Sequence, residues 1–159
     1  MNWSGRNVLI TGGAGHIGSH LAAELKKKDA NVRIADNLWR GKKEYLYEDG
    51  KPLIDFEKDF LEVDLREMKN CEDAVRGMDT VFHLADVVAG IDFVFGNEAF
   101  VYRSNVLINS NMFEATRKEK QMQQMGFQAG GNTALEQSFL PPGRNPMGAT
   151  PPPAFLQSI

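Results

Sequence analysis

The 159-residue chain has 18 basic and 21 acidic side chains and a net charge of −3, an ordinary balance for one globular domain that excludes a strongly basic nucleic-acid binder. A single cysteine excludes an internal disulfide, and no apolar run approaches the roughly eighteen residues of a membrane span or forms a signal-peptide core. The expected compartment is the reducing cytoplasm, with neither nucleic acid nor membrane as partner.

Val8-Leu9-Ile10 is a short apolar run with a β-branched residue at each end, and it reads as a buried strand. It runs through Thr11 into Gly12-Gly13-Ala14-Gly15-His16-Ile17-Gly18, with glycines spaced Gly12-x-x-Gly15-x-x-Gly18. Ile17, Leu21 and Leu25 then predict a helix over His16 to Lys28 with one apolar face, and Lys26, Lys27 and Lys28 suit its C-terminal end of the macrodipole. In a strand-turn-helix of this kind one glycine permits the bend and another lets a pyrophosphate approach the backbone. Gly18 lets the helix pack closely, and the helix opens with unpaired N–H groups facing the phosphates.

Asn31 to Ala35 alternates in polarity and predicts a second strand ending on Asp36, about twenty residues past the turn. A carboxylate there accepts hydrogen bonds from both hydroxyls of the adenosine ribose and repels a 2′-phosphate. The expected cofactor is therefore a dinucleotide, NAD in preference to NADP, although Arg40, Lys42 and Lys43 follow in the next loop. A Walker loop is excluded, because no Gly-Lys-Ser/Thr follows the glycines.

The span through Gly50 and Pro52 reads as a loop with at most a short helix. Asp59 to Asp64 predicts a third strand, Arg66 to Arg76 a helix stopped by Gly77, and Thr80 to Ala85 a fourth strand whose continuous apolar character fits burial on both faces. Strands alternating with helices imply right-handed crossovers and a doubly wound parallel sheet, a Rossmann-type α/β fold truncated after about four strands. Its ligand is expected beyond the carboxyl ends of the strands.

A loop containing Gly90 and Gly96 leads to a helix over Asn97 to Lys120, with Phe100, Val101, Leu107, Ile108, Met112 and Ala115 on its apolar face. Asn105, Asn109 and Asn111 either sit on its solvated face or, for Asn105, point toward the cofactor. Residues 121–159 hold six of the seven prolines, one base (Arg144) and one acid (Glu136). The ordered part is therefore expected over 1–120, with little regular structure after Gly126. His16, His20 and His83 are too scattered for a metal site and read as packing or turn residues. Cys71 reads as a small apolar residue, and Phe93 and Phe95 as pocket or core.

With these elements placed, the chain resembles the N-terminal part of an extended short-chain dehydrogenase/reductase, in the NAD-dependent nucleotide-sugar epimerase/dehydratase group. The resemblance covers roughly residues 6 to 118 and rests on Thr11 to Leu21, Asp36-Asn37-Leu38, Asp64-Leu65 and His83-Leu84-Ala85 in the family's order and spacing. Asp86 departs from the alanine common there. Ala89 to Phe93, Asn105 and Asn111 to Ala115 look most like the GDP-mannose epimerase branch.

The resemblance implies cofactor contacts at Gly12, Gly15, His16, Ile17, Gly18, Asp36, Asn37, Asp64, Leu65, Leu84, Ala85 and Asn105. It also implies a nucleotide-sugar substrate for the intact parent and a homodimer built through the 97–120 helix. Family catalysis uses a helical Tyr-x-x-x-Lys pair after the fifth strand, with the lysine lowering the tyrosine's pKa. The tyrosines here are Tyr45, Tyr47 and Tyr102; Tyr47 with Lys51 has the spacing but precedes the third strand, so no catalytic residue is assigned. Two readings stand: the NAD-binding part of an epimerase/dehydratase homologue, or a non-catalytic dinucleotide-binding sensor or interaction module.

Overall fold

The computed structural model describes residues 2–124 of the chain. The irregular tail expected after Gly126 lies outside the described residues. Strand β1 (Asn7–Thr11), helix α1 (His16–Lys26) and strand β2 (Asn31–Asp36) form the first crossover unit. A 3₁₀ turn (Lys43–Leu46) and a hairpin of β3 (Tyr47–Glu48) and β4 (Lys51–Pro52) follow, then β5 (Phe60–Glu62), α2 (Met68–Val75), β6 (Thr80–His83), α3 (Ile91–Gly96) and α4 (Glu98–Gln124).

The main sheet has the order β5-β2-β1-β6 and is parallel throughout. Its centre is β1, where Val8 pairs with Val32 on one side and Thr80 on the other. The period of two along β1 sorts the core. Val8 and Ile10 pack with Ala22 and Leu25 of α1, whereas Leu9 packs with Cys71, Val75, Ile108 and Met112 of α2 and α4. Each fully buried aliphatic chain contributes about 1.5–3 kcal/mol, so the sheet is held from both faces. Arg33 closes the end of α2 by donating to the carbonyls of Ala74 and Arg76 at 3.1 and 3.0 Å, where the last carbonyls of a helix lack internal donors.

Several expectations are corrected. The span before β5 is not a plain loop: the hairpin and the 3₁₀ turn bring Leu46 and Ile54 into the core, which scattered single apolar residues in a polar stretch do not announce. The segment around Gly90 and Gly96 contains α3 rather than an open loop. β6 ends at His83, and all four of its residues are half-buried, because it is the edge of the described sheet.

Helix faces are corrected as well. On α1 the inward residues are Gly18, Ser19, Ala22 and Leu25, while Ile17 is 71% exposed. On α4 they are Ser104, Ile108, Met112 and Ala115, with Phe100 turned outward. Leu25, Ile108, Met112 and Ala115 lie inward as the periodicity predicts, and Gly18, Ser19, Ala22 and Ser104 are the inward residues that an apolar-only periodicity overlooks.

Candidate functional site

The glycine turn joins β1 to α1 at the carboxyl end of the sheet's central strand. Gly12 has φ of +66°, and a Cβ there would lie 2.9 Å from backbone atoms of Leu84 and Ala85. A Cβ on Gly18 would lie 2.5 Å from the Gly12 carbonyl oxygen and 2.6 Å from the Gly13 Cα. Helix α1 can therefore begin against the turn only because both positions lack side chains. No side chain caps the start of α1, so its first-turn N–H groups remain available to an anion.

Asp36 closes the turn from the side. It is 8% exposed; its Oδ2 accepts the Ala14 N–H at 3.0 Å and its Oδ1 the Leu38 N–H at 2.8 Å. The Lys42 N–H in turn donates to the Ala14 carbonyl at 2.9 Å, which folds the loop after β2 back over the turn. The carboxylate thus holds the turn while retaining lone pairs toward the cleft.

A single cleft of about 550 Å³ collects these features. Gly12, Gly15, His16, Ile17 and Gly18 line one part and Asp36 and Asn37 another, with Asp64, Leu65, Leu84 and Ala85 completing it. Asp64 is held by Arg66, whose side chain and N–H both donate to it and keep its carboxyl below the ordinary carboxylate range. Its contribution to stability is complete above that range and is lost as pH falls through the lowered value. Both partners are about one-third exposed, so it amounts to under about 1 kcal/mol.

The model of the NAD dependent epimerase/dehydratase family matches residues 8–130. The chain belongs to that family. GDP-mannose 3,5-epimerase 1 of Oryza sativa subsp. japonica is 38% identical over 110 residues, covering 69% of this chain and 27% of the relative. UDP-N-acetyl-alpha-D-glucosaminuronate decarboxylase of Bacillus cytotoxicus is 36% identical over 114 residues, covering 70% and 31%. The UDP-glucose 4-epimerase of Thermus thermophilus, solved in complex with NAD, has a TM-score of 0.58 and 34% identity, covering 72% of this chain and 34% of that one. The chain therefore spans about a third or less of the length of these epimerase/dehydratase relatives.

Within this member of the epimerase/dehydratase family, one expected site residue stands apart. Asn105 does not line the cleft; its Oδ1 accepts the Val87 N–H at 2.7 Å and its Nδ2 donates to the Val87 carbonyl at 3.3 Å. Val87 itself lines the cleft, so Asn105 holds a cleft wall through the Val87 backbone. Asn111 likewise turns inward and donates to the Arg66 carbonyl at 2.8 Å, while Asn109 is exposed. Asn105→Ala is expected to leave both polar groups of Val87 without this partner. About 1–2 kcal/mol of local stability would be lost, seen as faster hydrogen exchange at the Val87 amide.

On the other side of the mouth, sequence reasoning raised only Arg40. Trp39, Arg40, Gly41, Tyr45 and Val88 also line the cleft. Arg40 donates to the Val88 carbonyl at 2.5 Å, and the Trp39 and Phe93 rings lie 5.7 Å apart, so the loop after β2 meets the segment after β6. Phe93 and Phe95 are 37% and 66% exposed and neither line the cleft nor belong to the core. Only tertiary pairing brings Arg40 to Val88, and no local signal in either segment marks it.

Tyr47 and Lys51 lie on the two strands of the short hairpin, not on a helix. Cys71 is buried, donates to the Leu65 carbonyl, and is pushed up to about 11 chiefly by burial, which fits a packing role. No cluster of metal-ligating side chains occurs among the described residues.

Proposed function

We propose that this chain binds NAD in the cleft at the carboxyl ends of β1, β2, β5 and β6, as the cofactor-binding portion of a nucleotide-sugar epimerase/dehydratase homologue. The observation that carries the reading is the convergence of the side-chain-free turn at Gly12 to Gly18, the buried carboxylate of Asp36 and the walls at Asp64-Leu65 and Leu84-Ala85 on one cleft. The uncapped N–H groups of α1 would receive the diphosphate, and Asp36 and Asn37 the adenosine ribose. NAD supplies a hydride acceptor when bound. Asp64, Leu65, Leu84 and Ala85 bound the space on either side.

Selectivity for NAD over NADP follows from charge. The carboxylate of Asp36 opposes a 2′-phosphate and Lys43 is paired with Glu62 at 3.0 Å, while Arg40 lines the cleft mouth with the Val88 carbonyl as its partner. Calorimetric titration of the full chain is expected to show NAD binding at least about tenfold tighter than NADP. No binding of either dinucleotide would remove the assignment.

A second reading is a non-catalytic dinucleotide-binding sensor or interaction module. No tyrosine follows Tyr102 in the sequence given, which argues against turnover by this chain by itself under either reading.

A further inference from the structure

Thr11 and His83 lie side by side at the carboxyl ends of β1 and β6, at paired register positions. Thr11 is fully buried, and its hydroxyl oxygen lies 2.6 Å from His83 Nδ1. The same oxygen accepts the Ala85 N–H at 3.2 Å and shares the Leu84 N–H with the Thr11 backbone carbonyl, each at 3.1 Å. A hydroxyl oxygen has two acceptor sites and one hydrogen, so with both sites taken the hydrogen is left for Nδ1. Nδ1 is then an acceptor, and the neutral ring carries its proton on Nε2. That Nε2 is buried without a partner among the described residues. Nε2 is unpaired in either tautomer, so the choice between them rests on the Thr11 hydroxyl.

Leu84 and Ala85, the two residues tied to Thr11, are the cleft wall against which Gly12 sits without room for a Cβ. We infer that Thr11 and His83 act as one positioning unit, in which the Thr11 hydroxyl, donating to a neutral His83, fixes the Leu84-Ala85 wall against the glycine turn and so sets the width of the dinucleotide cleft. This inference rests on the proposed NAD binding.

Protonation of Nδ1 would place an N–H against an oxygen that already accepts two, and the hydroxyl hydrogen would lose its acceptor. Burial acts in the same direction and lowers the His83 pKa, opposed by the nearby charge of Asp86. β1 brings no ionisable side chain to the pair, the buried face of α4 brings none, and that of α2 brings only the neutral Cys71. Because the folded-state pKa is depressed, the unit's contribution is complete above about pH 6.5 and fades as pH falls through the lowered value.

The test uses the full chain. Long-range proton–nitrogen spectra are expected to show His83 as the Nε2–H tautomer; an Nδ1–H tautomer overturns the inference. The NAD dissociation constant is expected to be level from about pH 8 to 7 and to rise toward about tenfold per unit once His83 is protonated. Thr11→Ser keeps the hydroxyl and is expected to preserve affinity, whereas Thr11→Val is expected to weaken it about tenfold. His83→Asn supplies an acceptor oxygen that does not titrate. It is expected to bind NAD and lose the acid-side weakening, a result that holds even if Thr11→Val does not fold. Wild-type affinity with Thr11→Val, or unchanged acid-side weakening in His83→Asn, overturns the unit. A wild-type chain that fails to bind at any pH overturns the nucleotide reading instead, while the tautomer spectrum still reads the pair.

Discussion

Asp36→Asn is expected to weaken NAD binding by roughly ten- to a hundredfold while leaving NADP binding nearly unchanged, so that the preference between the two largely disappears. The carboxylate has two separate tasks. Toward the cleft it is the charge that favours ribose hydroxyls over a phosphate. Behind the cleft each oxygen accepts a backbone N–H, from Ala14 and Leu38. Asparagine has one oxygen, so its amide must turn an N–H₂ toward one of these donors and leave it unpaired. That adds about 1–3 kcal/mol of destabilisation. Calorimetry with both dinucleotides, beside thermal unfolding without ligand, separates the two effects. The NAD/NADP ratio reports the charge, and the melting temperature reports the support of the turn.

Gly18→Val is expected to be the most disruptive single substitution at the turn. Its Cβ would lie 2.5 Å from the Gly12 carbonyl oxygen and 2.6 Å from the Gly13 Cα, and both are backbone atoms that no rotamer change can move. Helix α1 would have to shift outward, taking Ala22 and Leu25 from the core they share with Val8 and Ile10. A loss of about 3 kcal/mol or more, and a fall of roughly 10 °C in melting temperature, is expected. Gly96→Ala is the control: nothing lies within 4 Å of a Cβ there, and a change within about 0.5 kcal/mol is expected. Equal effects at the two positions would contradict the close approach of α1 to the turn.

The central unit was legible because its signals are local. Val8 to Ile10 must be a strand to end in a turn that Gly12 and Gly18 permit, and Asp36 terminates the next strand at a spacing that a crossover helix fixes. The parallel alternation of the four main strands with helices followed from the same pattern. What escaped reading depends on pairing between distant segments. The hairpin at Tyr47 to Pro52 is short and exposed, with no alternation to announce it, yet it carries Leu46 and Ile54 into the core. The inward stripe of α4 includes Ser104, a small polar residue that a search for apolar side chains passes over, while Phe100, expected inward, faces outward. Asn105 stood out as an unusual helix-interior residue, but its partner is the backbone of Val87, and sequence spacing cannot show that.

The most direct measurement is amide chemical-shift mapping of the isotopically labelled full chain during titration with NAD. The predicted result is saturable shifts at Gly12 to Gly18, at Asn37 and Leu38 beside Asp36, and at Leu65 and Ala85 in the walls, reached together as one site fills. Shifts confined to residues outside that cleft, or none at saturating NAD, would contradict it.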